Sequence, residues 1–303
     1  MAPAKGPPDI VVVGAASRDL DAADPRGWRL GGGVTYSSRL LGQLGLSVGA
    51  LMGLDEEASE AHELAGLRAL GVDVRKVSLE RGPIFDNRQT SQGRVQIAHS
   101  AGDQLPPDAL PTAWRESCAY LLNPVAGEID HGWADALSPT AMVGLGYQGL
   151  LRVLRPGQIV RSRPLVPGRL LARADLAGIS GEDIRGGDMP LRQLLQRDGQ
   201  RLVVTEGPRG ALHVARSGGR LRLRFIPAVP ARVDTDATGA GDTFLAAWLA
   251  AVLVSQARAT NDSRSLTFAS VCASLLVEGG DISCEAIRER MASLKRPAGP
   301  ESN

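Results

Sequence analysis

Residues 234–254 read DTDATGAGDTFLAAWLAAVLV. The stretch opens with acids, threonines and glycines and then becomes almost wholly apolar. Thr238-Gly239-Ala240-Gly241-Asp242 stands directly ahead of the apolar run. Glycines let a backbone curl tightly and leave successive N–H groups uncovered. At a helix N-terminus those donors, together with the helix dipole, favour a bound anion. The stretch therefore predicts a buried helix with an anion hole at its positive end, built without lysine. Asp242 fits two roles, a cap or first-turn acid of that helix and a general base beside a phosphate. The short Gly-x-Gly-Asp pattern leaves both open.

Outward from this point, strand and helix signals alternate. Asp9-Ile-Val-Val-Val-Gly14 is a β-branched run closed by glycine, as in a first buried parallel strand. After a polar stretch come Gly31-Gly32-Gly33 and a helical pattern with Tyr36, Leu40, Leu41 and Leu44 on one face, ended by Gly45. Residues 48–52 read as a strand and Leu64, Leu67 and Leu70 as a helix ending at Gly71. Further strands are expected at 120–122, 142–145 and 202–205, with a hairpin around Ser217-Gly218-Gly219. In residues 220–225, RLRLRF, arginine alternates with Leu, Leu and Phe, which fits a half-exposed strand better than a phosphate-binding patch. The C-terminal third reads as helices at 243–254, 266–277 and 285–294, followed by a frayed tail at 296–303. This alternation predicts an α/β fold, a doubly wound and mainly parallel sheet flanked by helices. A single domain over 1–303 is expected. Residues 83–101 break the rhythm and read as a two-stranded excursion around Ser91-Gln92-Gly93.

Composition excludes several function classes. The net charge is +1, which offers nothing to nucleic acid or a charged membrane. Only three of the 34 basic residues are lysine (Lys5, Lys76 and Lys295), a bias of composition rather than a recognition surface. The run 244–254 falls short of the about 20 apolar residues that span a bilayer. Cys118, Cys272 and Cys284 form no CxxC pair and no ligand cluster with histidine, and read as small buried hydrophobes in a reducing, cytoplasmic setting. No P-loop, HExxH, GxSxG elbow or Rossmann GxGxxG is present, and His62, His99, His131 and His213 are scattered.

Four stretches, taken in order, resemble the ribokinase-like carbohydrate kinase (pfkB) family. "DIVVVGAASRD" (9–19) is similar to the family's first strand and its substrate-contacting aspartate, here Asp19. "GGGVTYSSRLLGQLG" (31–45) is similar to the first signature, whose di-glycine (Gly31, Gly32) and helix floor the sugar site. "LVVTEGPRG" (202–210) is similar to the strand and turn that contact nucleotide phosphates, pointing to Thr205, Gly207 and Gly210. "DATGAGDTF" (236–244) is similar to the second signature, with Thr238 beside the nucleotide, the anion hole at Gly239, Ala240 and Gly241, and Asp242 as catalytic base. The resemblance also implies that residues 15–30 and 83–101 form a small β lid that shields the reaction from water.

Three departures accompany the resemblance. Tyr36 stands where many sugar kinases have a sugar-binding Asn, which implies a different acceptor pocket. Ser180-Gly181-Glu182-Asp183 stands for the family's NxxE, so Ser180 would face the nucleotide and Asp183 or Glu182 would hold Mg2+ through water; a capped helix start fits the same residues. Gly146-Tyr147-Gln148-Gly149-Leu150-Leu151-Arg152 is similar to the D-x-Q-G-x-x-R segment of a branch with inositol-kinase-like members, with Gly146 in place of Asp. Gln148 and Arg152 would face the acceptor or phosphates, although Arg152 equally fits the end of a helix.

The resemblance implies an ATP- and Mg2+-dependent kinase acting on a hydroxyl of a small sugar, polyol or nucleoside, with a monovalent cation as a further possible activator. The alternative is a catalytically degenerate member that senses a sugar or nucleotide. No nucleic-acid or membrane partner is expected, and either a monomer or a homodimer fits.

Overall fold

A computed structural model describes residues 6–90, 93–184, 191–255, 263–279 and 282–294. The expected tail at 296–303 lies outside them, as do Lys5 and Lys295. The β-branched run after Asp9 becomes the strand Ile10–Ala15, buried at every position because parallel neighbours flank it on both sides. It sits within a nine-stranded sheet. From one edge the order is Asp73–Ser78, Val48–Leu54, Ile10–Ala15, Ala119–Leu122, Met142–Gly146, Leu176–Ser180, Arg201–Thr205, Ala211–Ser217 and Arg220–Ile226. The first seven strands pair in parallel and the last two form an antiparallel hairpin. This is the doubly wound, mainly parallel sheet that the alternation predicts.

One apolar layer packs the signature helix Ala240–Ser255, the helix Gly33–Gln43 and the helix Ser263–Val277 on one face of the sheet. The signature helix is apolar on nearly all sides and buries Thr243 through Ala250 together with Val252, as an element enclosed between sheet and helices must. Burying a single Leu- or Phe-sized side chain contributes about 1.5–3 kcal/mol, so its start is held rigidly. The opposite face is covered by a second apolar layer that includes Trp114, Trp133 and Leu170.

The excursion forms a second sheet of five strands, ordered Gln158–Ile159, Gly93–Ala101, Pro83–Thr90, Arg18–Leu20 and Trp28–Leu30. Gln158–Ile159 is an addition that its two-residue length hides from any periodicity argument. Two expectations change. Strand Arg220–Ile226 forms as expected, but Leu223 and Phe225 on this edge strand are exposed, while Leu221 and Ile226 near its ends pack against the two apolar layers. Only Cys272 is buried; Cys118 and Cys284 are exposed, and all three are free thiols. Among the described residues no helix is long and apolar enough to cross a membrane.

Candidate active site

The C-terminal ends of the parallel strands and the starts of two helices converge, which is where open α/β sheets place ligands. The helix Gly33–Gln43 begins after Gly32, whose φ of 89° is a left-handed conformation open to glycine. The flanking glycines leave room for carboxylates. A methyl group on Gly31 would lie 2.3 Å from Oδ2 of Asp19, and one on Gly33 would lie 2.6 Å from Oδ1 of Asp242. Asp19, on strand Arg18–Leu20, is buried and accepts a hydrogen bond from the Ser17 hydroxyl at 2.8 Å. The floor thus brings the two expected aspartates to opposite flanks of one triple glycine.

The signature helix starts at Ala240, so Asp242 stands in its first turn and not at the N-cap. Its first backbone bond runs from Thr243 N–H to Gly239 C=O at 2.9 Å. Ala240 N–H closes a turn onto Ala237 C=O at 3.1 Å, which removes it from the set of amides open to an anion, whereas Gly241 N–H precedes the helix ladder. Gly239 has φ 81°, and the Tyr36 ring lies against it, with Cγ 2.3 Å from where a methyl group would sit. Tyr36 therefore joins the acceptor floor to the anion loop. Burial first, and then the negative charge of Asp19, push its phenol up to about 12.

Two contacts that the sequence did not disclose complete this junction. Arg29, on strand Trp28–Leu30, donates from Nη2 to Oδ2 of Asp236 at 2.6 Å. Oδ1 of the same carboxylate accepts from Thr238 N–H at 2.8 Å and shapes the turn into Gly239. Burial opposes the charge on both residues, but their mutual bond, with Thr238 on one side and with Tyr36 and Asp19 on the other, keeps Asp236 below and Arg29 above the ordinary value. Asn123, buried after strand Ala119–Leu122, donates from Nδ2 to the Ser37 hydroxyl at 2.7 Å and to Gly33 C=O at 3.4 Å. Ser37 in turn donates to Asp242 C=O at 3.3 Å. Oδ1 of Asn123 has no hydrogen-bond partner among the described residues and presses on Gly146, where a methyl group would sit 2.2 Å away. Gly146 is glycine because the Asn123 amide fills the space a side chain would need. The buried Glu128 accepts from the N–H groups of Ala15, Val125 and Ala126 and ties the first strand to this loop, and its burial raises its pKa.

The expected donor-side residues also come together. Ser180 and Thr205 are register partners on neighbouring strands, and Gly181 N–H donates to Thr205 C=O at 2.8 Å. Residues 181–184 form a turn in which Glu182 N–H donates to the Ser180 hydroxyl at 3.2 Å and Asp183 N–H to Ser180 C=O at 3.1 Å. Gly207 opens the turn Gly207–Arg209, and Gly210, with φ 102°, closes it against Ile226 C=O. The loop leading into the signature is pinned from behind. Arg290 pairs with Glu278 at 2.7 Å and donates to Pro230 C=O at 3.2 Å, while Arg232 N–H donates to Glu278 at 2.6 Å. Among the described residues no three acids, histidines or cysteines group as a metal cage. Glu182 and Asp183 instead fit the one or two carboxylates that accompany a phosphate-borne Mg2+.

Gln148 lies on the short 3-10 turn Gln148–Leu151, and its side chain makes no hydrogen bond among the described residues. Arg152 donates to Val125 C=O at 3.1 Å, and its guanidinium carbon is 5.5 Å from the Phe85 ring centre, so it reaches the second sheet.

Residues 173–285 match the family model described as pfkB family carbohydrate kinase. No curated protein matches in sequence. The fold is similar to that of a pyrophosphate-dependent kinase in the ribokinase family complexed with a pyrophosphate analog and myo-inositol (18% identity, 94% of this chain and 99% of that one, TM-score 0.72). It is similar to Arabidopsis thaliana ribokinase complexed with ribose and ATP (20% identity, 96% and 100% covered, TM-score 0.64). It also resembles Burkholderia thailandensis nucleoside kinase in complex with inosine (16% identity, 96% and 100% covered, TM-score 0.66). At these identities the structural likeness is one of fold. The part of the chain similar to pfkB family carbohydrate kinases, residues 173–285, carries the strands Leu176–Ser180 and Arg201–Thr205 and the signature helix, and the whole chain has a ribokinase-like fold.

Proposed function

We propose that this protein is a kinase that transfers the γ-phosphoryl group of ATP to a hydroxyl of a small sugar, polyol or nucleoside. The observation that carries this reading is the contact between Asp242 and Gly33, which sets a carboxylate at the junction of the anion loop and the acceptor floor. Mg-ATP, when bound, would supply the phosphoryl group and a cation to offset its negative charge. Asp242 accepts the proton of the attacking hydroxyl. Asp19 orients the acceptor by accepting hydrogen bonds from its other hydroxyls, and the Tyr36 ring limits the floor to a compact acceptor. The amides of Gly239 and Gly241, with the dipole of the following helix, stabilise the phosphoryl oxygens. Thr205, Gly207, Gly210, Thr238 and Ser180 would line the donor side, and Asp183 with Glu182 would hold the metal through water. Gln148 and Arg152 contact the acceptor, and the second sheet, with strands Arg18–Leu20, Trp28–Leu30, Pro83–Thr90 and Gly93–Ala101, closes over it and excludes water. Positioning and electrostatics supply most of the rate enhancement in such transfer.

The test is an ADP-release screen over polyols, sugars and nucleosides, with binding calorimetry in parallel. Turnover of one acceptor supports the kinase. Tight binding of an acceptor with no ADP release from any of them contradicts it and favours a sensor.

A further inference from the structure

We infer that Arg29 is a phosphoryl-binding residue delivered by the second sheet, so that the anion loop is complete only with that sheet in place. The inference rests on the kinase reading above. Its starting point is an electrostatic conflict. Asp236 sits two residues from Thr238 and three from Gly239, and its carboxylate builds the turn that presents the anion-binding amides. A negative charge there opposes any phosphate on the same loop. Arg29 removes the conflict by bonding the outer oxygen of Asp236 at 2.6 Å.

The guanidinium has donors to spare. Arginine carries five N–H donors in a planar fork. Here Nη2 bonds Asp236, while Nε and Nη1 have no hydrogen-bond partner among the described residues. The Arg29 side chain is 37% exposed, so these donors are open to a ligand. Arg29 has Tyr36, Asp236 and Asp19 as its electrostatic neighbours. It is therefore at the border between the acceptor floor and the anion loop, the path of a phosphoryl group in transfer. That group is anionic and offers equatorial oxygens to a planar fork. The loop itself has no lysine, and the amides alone leave much of the charge uncompensated.

Direct binding of the phosphate donor tests this without knowing the acceptor. Mg-ATP and, separately, magnesium pyrophosphate are titrated by calorimetry into wild-type protein, Arg29→Ala, Arg29→Lys and Asp236→Asn, at two salt concentrations. Asn at 236 keeps the acceptor for Thr238 N–H but loses the charge. The expected result is about tenfold weaker binding in Arg29→Ala with a shallower salt dependence, partial recovery in Arg29→Lys, and binding at least as tight as wild type in Asp236→Asn. Equal losses in Arg29→Ala and Asp236→Asn would mean that the pair only straps the loop, which overturns the inference while leaving the kinase reading intact. Unchanged binding in Arg29→Ala overturns it likewise. Wild-type protein that binds neither donor overturns the kinase reading and this inference together. Circular dichroism on each variant confirms that the fold is retained.

Discussion

Gly33 lies so close to Asp242 that a single methyl group on its Cα would stand 2.6 Å from Oδ1 of the carboxylate and 2.9 Å from Cβ of Asn123. The two residues start different helices, 209 positions apart in the chain, and meet because both helices pack on one face of the sheet. Under the proposed mechanism, the contact makes the third glycine of the triplet a constraint on the position of the base.

Gly33→Ala should therefore displace the carboxylate more than it destabilises the fold, because the end of an aspartate side chain can swing aside. A misplacement of about 1 Å at a reacting group costs on the order of 10²-fold in rate. Steady-state kinetics on a responsive acceptor should show kcat falling by roughly that factor, with the thermal unfolding midpoint shifted by only a few degrees. A large loss of stability with kcat preserved in the folded fraction would show that the contact only packs.

Gly146 and Asn123 make a reciprocal prediction. Gly146→Ala places a methyl group 2.2 Å from the amide oxygen of the buried Asn123. Overpacking of this kind costs about 1–3 kcal/mol. In an Asn123→Ala background the same change should be nearly neutral, since the space is vacated. Urea unfolding of the four proteins in this cycle measures the coupling; additive effects would contradict the packing account.

Much of this site was legible from local rules. The glycine–alanine–glycine turn ahead of an apolar run announces a helix start with bare amides, whatever else surrounds it. The same locality explains what escaped. Arg29 and Asp236 are 207 residues apart, Asn123 and Ser37 are 86 apart, and Glu128 caps a strand 113 residues before it. Each role is defined by tertiary contact, and no residue beside it in sequence marks it. Gly146 was legible as a departure from the family pattern but not as a consequence of Asn123. Cys118 and Cys284 were read as buried from residue type alone, and their exposure is set by loop and helix-end positions.

The link between the two sheets should be sensitive to acid. Glu63 accepts from Arg26 at 2.7 Å and from Leu30 N–H at 3.0 Å, holding strand Trp28–Leu30 against the helix Glu63–Ala69. Burial raises its pKa, but the Arg26 and Leu30 bonds win and bring it down from 4.5 to about 2. A carboxyl with a depressed folded-state pKa adds stability above its unfolded value, and that stability is lost as pH falls through the folded value. Wild type should thus lose stability between about pH 4.5 and pH 2, and Glu63→Gln should lose less across that window while being less stable by about 1.5–3 kcal/mol at neutral pH. Chemical unfolding at several pH values checks both; parallel profiles for the two proteins would contradict the assignment.

The central claim is that Asp242 takes the proton of the attacking hydroxyl. It is tested most directly by Asp242→Asn, which keeps shape and hydrogen-bonding capacity while removing the base. Single-turnover phosphoryl transfer on the acceptor found by screening should fall by about 10²–10⁴-fold, the usual share of general base catalysis. Calorimetric binding of Mg-ATP should persist and even tighten, since a negative charge beside the anion loop is gone. Transfer at the wild-type rate by the folded variant would contradict the account.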